Sequence, residues 1–231
     1  MMPAYLARPR DAAQHPGIVI IHDAWGLAEH QRDIARRFAN AGFDALAPDL
    51  YARTERPRPD SDLAELIRVT TGVSDAQEVR DLEAAAAHLR GLEGSNGKVG
   101  CIGFCAGGRG TLLFACSSDA LDGAVDCWGG FIDRASPETE RLPTRPTPLI
   151  DLAGQLHCPL LLVGGAEDQN PSPEILAELH RRLVAAGKDV ALEIFDGAGH
   201  AFFNDTRPSF RPEQAERLWP MVLEFFARTL H

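Results

Sequence analysis

Residues 95–108 read SNGKVGCIGFCAGG. A turn, SNG, passes into a short apolar run, KVGCI. That run meets Gly103-Phe104-Cys105-Ala106-Gly107 ahead of a small-residue stretch suited to a helix. A G-x-C-x-G pentapeptide placed directly between strand and helix has the context of a nucleophile elbow. The chain must turn so sharply there that side chains on the neighbours would clash, so glycine is expected on both sides of Cys105. The turn carries the cysteine to the carboxyl edge of a sheet, where the N–H of Ala106, at a helix N-terminus, can point at a developing oxyanion.

Outward from this stretch, short apolar runs alternate with longer amphipathic ones, as in βαβ units that build a mainly parallel sheet. Residues 17–22 (GIVIIH) predict a buried strand, 28–41 a helix ended by Gly42, and 43–47 a strand ended by Pro48. Residues 48–62 are rich in proline and charge without periodicity, which predicts a long loop. Ser74 with Gln77 resembles a capping box for a helix reaching about residue 90. After the cysteine helix, 123–128 predicts a strand and 134–150, again proline-rich, an excursion over the active-site side. A buried strand follows at 159–165, then a helix opened by Ser172-Pro173 and ended by Gly187. The last strand is 190–195 and the closing helix 213–230. Neither an internal repeat nor a linker interrupts this order, so one domain over 1–231 is expected.

Two further groups fall just past predicted strands. Asp168 follows PLLLVGG in GGAEDQNP, with Glu167 as a rival beside it, and His200 follows VALEIF in DGAGHAFFND. The order nucleophile, acid, histidine is that of the α/β-hydrolase fold, and open α/β sheets bind ligands at that carboxyl edge. The chemistry suits the set. A free thiol is mostly protonated at neutral pH, His200 can take its proton, and Asp168 can orient the ring and favour the imidazolium. A second oxyanion donor is expected from the loop His22-Asp23-Ala24-Trp25-Gly26, with Ala24 the candidate. Trp25, Tyr51, Trp128, Phe202 and Phe203 flank the proposed site and are candidates for an apolar wall.

The bulk properties narrow the choices. The 231 residues are 45% hydrophobic and 24% charged, with a formal net charge of −10. An acidic surface repels phosphate backbones, so nucleic acid is not an expected partner. Neither a signal-peptide-like stretch nor an apolar run of about 20 residues occurs, so a cytoplasmic protein without a membrane partner is expected. The five cysteines, 101, 105, 116, 127 and 158, form an odd, unpatterned set. All but Cys105 read as reduced, buried small hydrophobes. Zinc-like spacing is absent among them and the eight histidines.

The stretches HDAWGL, APDLYAR, VRDLEAAAAHL, SNGKVGCIGFCAGG and GAGHAFFND, in this order, resemble the dienelactone hydrolase (carboxymethylenebutenolidase) family over nearly the whole chain. The resemblance implies an α/β-hydrolase fold without metal or organic cofactor. It also implies hydrolysis of a dienelactone to maleylacetate, with Cys105, Asp168 and His200 on the triad positions. Two positions depart from the family pattern. Asp23 stands where a glutamate commonly helps activate the thiol. Asn204 stands where an arginine helps bind the substrate carboxylate. Arg68 is a candidate for the family's second arginine, and Arg53 a substitute. The partner expected is a small lactone or ester, and the assembly a monomer or small homo-oligomer. A general carboxylesterase acting on short-chain or aryl esters is the nearest competing function, and a non-catalytic thiol sensor the more distant one.

Overall fold

The computed structural model describes residues 2–134 and 142–231. Among them a seven-stranded sheet carries the architecture, in the order β1-β3-β2-β4-β5-β6-β7. Its strands are β1 (Ala4–Ala7), β2 (His15–Ile21), β3 (Asp44–Pro48), β4 (Ser95–Phe104), β5 (Gly123–Cys127), β6 (Leu160–Gly165) and β7 (Val190–Phe195). Only the β1–β3 pairing is antiparallel. The helices are α1 (Glu29–Asn40), α2 (Leu63–Gly72), α3 (Asp75–Arg90), α4 (Ala106–Ser117), α5 (Pro173–Ala185) and α6 (Pro212–Thr229). This is the α/β-hydrolase fold, a mainly parallel sheet flanked by helices.

The central strands are apolar on both faces because both faces are covered. On β2, Val19 and Ile21 enter one core, shared with Leu82 and Ala86 of α3, Leu112 and Leu113 of α4 and Leu179 of α5. Ile18 and Ile20 enter the opposite core, with Ile34 and Phe38 of α1 and Phe226 of α6. The two-residue period of the strand thus divides its side chains between two helix layers.

The predicted ends are close to the observed ones. Ser74 accepts the N–H of Gln77 as an N-cap, but the Gln77 side chain turns to Asp81, 2.9 Å away, so the reciprocal half of the capping box is not made. The long loop expected after Pro48 is present. Three elements went unpredicted. β1 has only four residues on the sheet edge, with alternating exposure. The helix α2, capped by the Asp62 side chain on the Glu65 N–H, follows the long loop without a polar-to-apolar boundary of its own. A 3-10 helix spans Leu149–Gln155. Of the expected excursion at 134–150, residues 135–141 lie outside the described residues.

Candidate active site

Cys105 occupies the bend between β4 and α4 at φ 56°, ψ −115°, a region that side-chain-bearing residues rarely enter. The surroundings hold it there. Its N–H donates to Cys127 O at 3.0 Å and its carbonyl accepts from the Arg109 N–H at 3.1 Å. The flanking glycines are required by close approach. A Cβ on Gly103 would lie 2.6 Å from Thr111 Oγ1, and one on Gly107 2.6 Å from His22 O. The half-buried thiol is thereby presented at the carboxyl end of β4.

His200 Nδ1 lies 2.8 Å from Asp168 Oδ2. An ionised carboxylate can only accept, so Nδ1 carries the proton and Nε2 is left for other work. Asp168 is buried, and its Oδ1 accepts the N–H of Asn170 at 2.9 Å. Glu167, the sequence rival, is exposed. Burial works against a charged His200 ring. The charge of a Cys105 thiolate, hydrogen bonds to Asp168 and Cys105, and the Asp168 charge outweigh it, and the imidazole pKa is pushed up to about 10. The protonated ring is therefore favoured over the neutral one in this setting.

The loop after β2 is pinned from both sides. His22 Nδ1 donates to Asp23 O at 2.8 Å, and its Nε2 accepts the Leu50 N–H at 3.2 Å. Burial lowers the pKa of this ring, which keeps it neutral and suited to both roles. Asp23 Oδ1 accepts the Trp25 N–H at 2.9 Å, and Asp23 O accepts the Gly26 N–H at 3.1 Å. The hydrogen bond of the Asp23 carboxylate thus goes to its own loop. Among the described residues, the N–H groups of Ala24 and Ala106 have no protein acceptor, as a pair of oxyanion donors requires.

A cavity of about 670 Å³ collects Asp23, Ala24, Trp25, Cys105, Ala106, Asp168, His200 and Asn204. Six expectations for its walls need correction, Tyr51 and Phe203 among them: both are buried and neither lines this cavity. Trp128 is 2% exposed, packs on Phe104 and Phe202, and lies in the core, outside the cavity's lining. Phe202 is fully buried in the same cluster and is likewise not a wall residue. Arg68 points away: α2 turns Leu66, Ile67 and Thr70 toward the cavity, and Arg68, about 100° further round the helix, pairs with Glu55 at 2.6 Å. Arg53 pairs with Asp81. Asn204 does line the cavity, but its Oδ1 is taken by Thr206.

Sequence reasoning missed the arginines that do reach it: Arg109, Arg145 and Arg207. Arg109 is buried and bound to Asp75 at 2.8 and 3.3 Å. Arg145 is buried, donates to Thr70 O at 2.8 Å, and keeps Nε without a partner among the described residues. Burial first, then the neighbouring Arg109, lower its pKa to about 10. Arg207 stacks on Trp25 at 4.6 Å. Arg145 belongs to the proline-rich excursion and Arg207 to an irregular loop, where no periodicity marks a residue as inward-facing. Among the described residues, no cluster of His, Cys, Asp or Glu is grouped to hold a metal ion.

The profile of the dienelactone hydrolase family matches residues 2–230. A Methylorubrum extorquens protein provisionally named carboxymethylenebutenolidase is 33% identical over 228 residues, covering 98% of this chain and 76% of its own. A Bradyrhizobium protein, provisionally named as a 2-oxo-3-(5-oxofuran-2-ylidene)propanoate lactonase, is 31% identical over 95% of this chain and 86% of its own. The crystal structure of a provisionally assigned dienelactone hydrolase from Klebsiella pneumoniae superposes with a TM-score of 0.90 at 32% identity, covering 98% of this chain and 93% of that one. The chain belongs to the dienelactone hydrolase family, enzymes that hydrolyse ester or lactone bonds.

Proposed function

We propose that the protein opens a lactone or cleaves an ester through a Cys105 acyl-thioester, with the dienelactone-to-maleylacetate type of ring opening as the leading reaction. The observation that supports this most is the 2.8 Å Asp168–His200 hydrogen bond in the same cavity as a cysteine on a strained elbow. In the first half-reaction the thiolate forms a C–S bond to the carbonyl carbon. Negative charge collects on the carbonyl oxygen, where Ala24 and Ala106 N–H groups are the assigned donors. Collapse breaks the C–O bond, and His200 gives its proton to the departing oxygen, which stays tethered when the substrate is a lactone. In the second half-reaction water passes a proton to His200 and attacks the thioester. The C–S bond breaks, and the thiolate–imidazolium pair is restored. Asp168 keeps the ring oriented throughout.

A carboxylate on the substrate would find Arg145 or Arg207 in this cavity, in place of the arginine absent at Asn204. The competing reading, a general esterase for uncharged short-chain or aryl esters, draws on the apolar side chains Leu66, Ile67, Phe131 and Pro208 in the same lining. The nucleophile is tested with Cys105→Ala, which is expected to abolish hydrolysis of every accepted ester and lactone; retained wild-type rates would end the assignment. Specificity constants for dienelactone and p-nitrophenyl acetate separate the two substrate readings, and strong preference for the uncharged ester overturns the first.

A further inference from the structure

At about 670 Å³ the cavity falls in the range that encloses ligands of drug size, whereas a five-membered lactone with a short acid arm fills a small part of it. One wall is α2. Leu63, Leu66, Ile67 and Thr70 follow the i, i+3, i+4, i+7 spacing of a single helical face, and all four line the cavity. Such a stripe ordinarily faces a core. Here Val69 alone among the residues of α2 is buried. Leu66 and Ile67 are half-exposed, and Leu63 is 71% exposed, the most exposed large apolar side chain among the described residues. The charged side of the helix is occupied separately, with Arg68 on Glu55 and Glu65 on Arg58. The apolar face is therefore turned to the cavity that holds Cys105 and His200, and among the described residues nothing covers it.

We propose that Leu63, Leu66 and Ile67 form a subsite for an apolar arm, an alkyl chain or an aryl ring, carried by the ester or lactone cleaved at Cys105. The inference rests on the reading of Cys105 as nucleophile. Continuity of the cavity argues for substrate as the occupant: an arm lying on these side chains can belong to the same molecule whose carbonyl meets the thiol. Phe131, pinned through its N–H to Asn170 Oδ1 at 2.9 Å, adds a fixed aromatic surface to the same lining.

The test is a p-nitrophenyl ester series from acetate to octanoate, with wild type, the double variant Leu66→Asn/Ile67→Asn and the single variant Leu63→Asn. For wild type, kcat/KM is expected to climb about two- to fourfold per added methylene as far as hexanoate, fourfold corresponding to full burial of a CH₂. The double variant is expected to flatten the climb, losing about tenfold more on hexanoate than on acetate. Leu63→Asn, at an exposed position, is expected to show a smaller loss of the same sign and keeps the test open should the double variant not fold. A flat or falling wild-type series, or equal losses on both esters, overturns the subsite. Hydrolysis that survives Cys105→Ala sinks the nucleophile reading instead, so the two failures are distinct. Should no ester turn over, calorimetric binding of butanoate, hexanoate and octanoate to Cys105→Ala decides: tightening with chain length that Leu66→Asn/Ile67→Asn removes supports the subsite, and chain-length-independent binding refutes it.

Discussion

Asn170 links the acid to the cavity wall: its N–H donates to Asp168 Oδ1 at 2.9 Å while its side-chain oxygen accepts the Phe131 N–H at 2.9 Å. Phe131 itself sits at φ 51°, so the loop after β5 is held in a strained form by a residue from the loop after β6. Removing the side chain leaves the Phe131 N–H unsatisfied and the strained backbone without its brace. Asn170→Ala is expected to lower stability by about 1–2 kcal/mol and to reduce kcat more than it raises KM. Urea unfolding and steady-state kinetics check both, and unchanged kcat would sever the proposed link.

Asp23 offers a sharper choice. If its role is the hydrogen bond to the Trp25 N–H, an amide oxygen can replace the carboxylate. Asp23→Asn is then expected to keep most of kcat/KM, and Asp23→Ala to lose about tenfold, as a loop hydrogen bond worth roughly 1–1.5 kcal/mol implies. Equal, large losses in both variants would instead assign Asp23 to thiol activation.

In the proposed mechanism the raised His200 pKa, about 10, sets the alkaline side of the activity profile. The ring must be protonated to give a proton to the leaving oxygen, so kcat/KM is expected to decline as pH rises through about 10, as a property of the Cys105–His200 pair. Asp168 is among the groups that raise this value, so Asp168→Asn is expected to move the limb to lower pH as well as to lower the rate. An alkaline limb unmoved by Asp168→Asn contradicts the assignment.

Asp126 gives a stability prediction independent of catalysis. Burial raises its pKa from 3.8 to about 7, against the pull of the Gly129 N–H, and its Oδ2 has no partner among the described residues. Between pH 3.8 and about 7 the unfolded chain has lost this proton while the folded chain keeps it, so the contribution of Asp126 to stability falls as pH rises through that window. Asp126→Asn, neutral at every pH, is expected to gain on wild type between pH 5 and pH 8 by an amount on the order of 2–3 kcal/mol. Thermal melts at the two pH values measure the gap; a gap that does not widen with pH refutes the account.

For Arg145, the substitution Arg145→Met keeps an apolar stem and removes the charge. It is expected to cost about 10- to 100-fold in kcat/KM on a carboxylate-bearing lactone, in line with a charge-assisted hydrogen bond, and far less on p-nitrophenyl acetate. Parallel kinetics on the two substrates read the difference, and equal losses on both would remove Arg145 from carboxylate recognition.

The amino-acid sequence determined the parts of this protein whose cause is local. Gly103 and Gly107 announce the bend because no side chain fits at either position. The apolar runs announce the strands because both sheet faces are buried, and Ser74 and Ser172 announce helix starts because their oxygens satisfy free N–H groups. Asp168 and His200 were legible for the same reason, since each follows directly on a strand whose end the fold places at one edge. Tertiary structure decided what depends on distance through space. Trp128 and Phe202 stand near the cysteine or histidine in sequence or register, yet side-chain direction sends them to the core. Arg68 is turned from the cavity by 100° of helix rotation, and Arg145 enters it from a loop with no period to read. Which charges and which apolar faces meet the substrate is set by how separate elements pack, and no single stretch of chain carries that information.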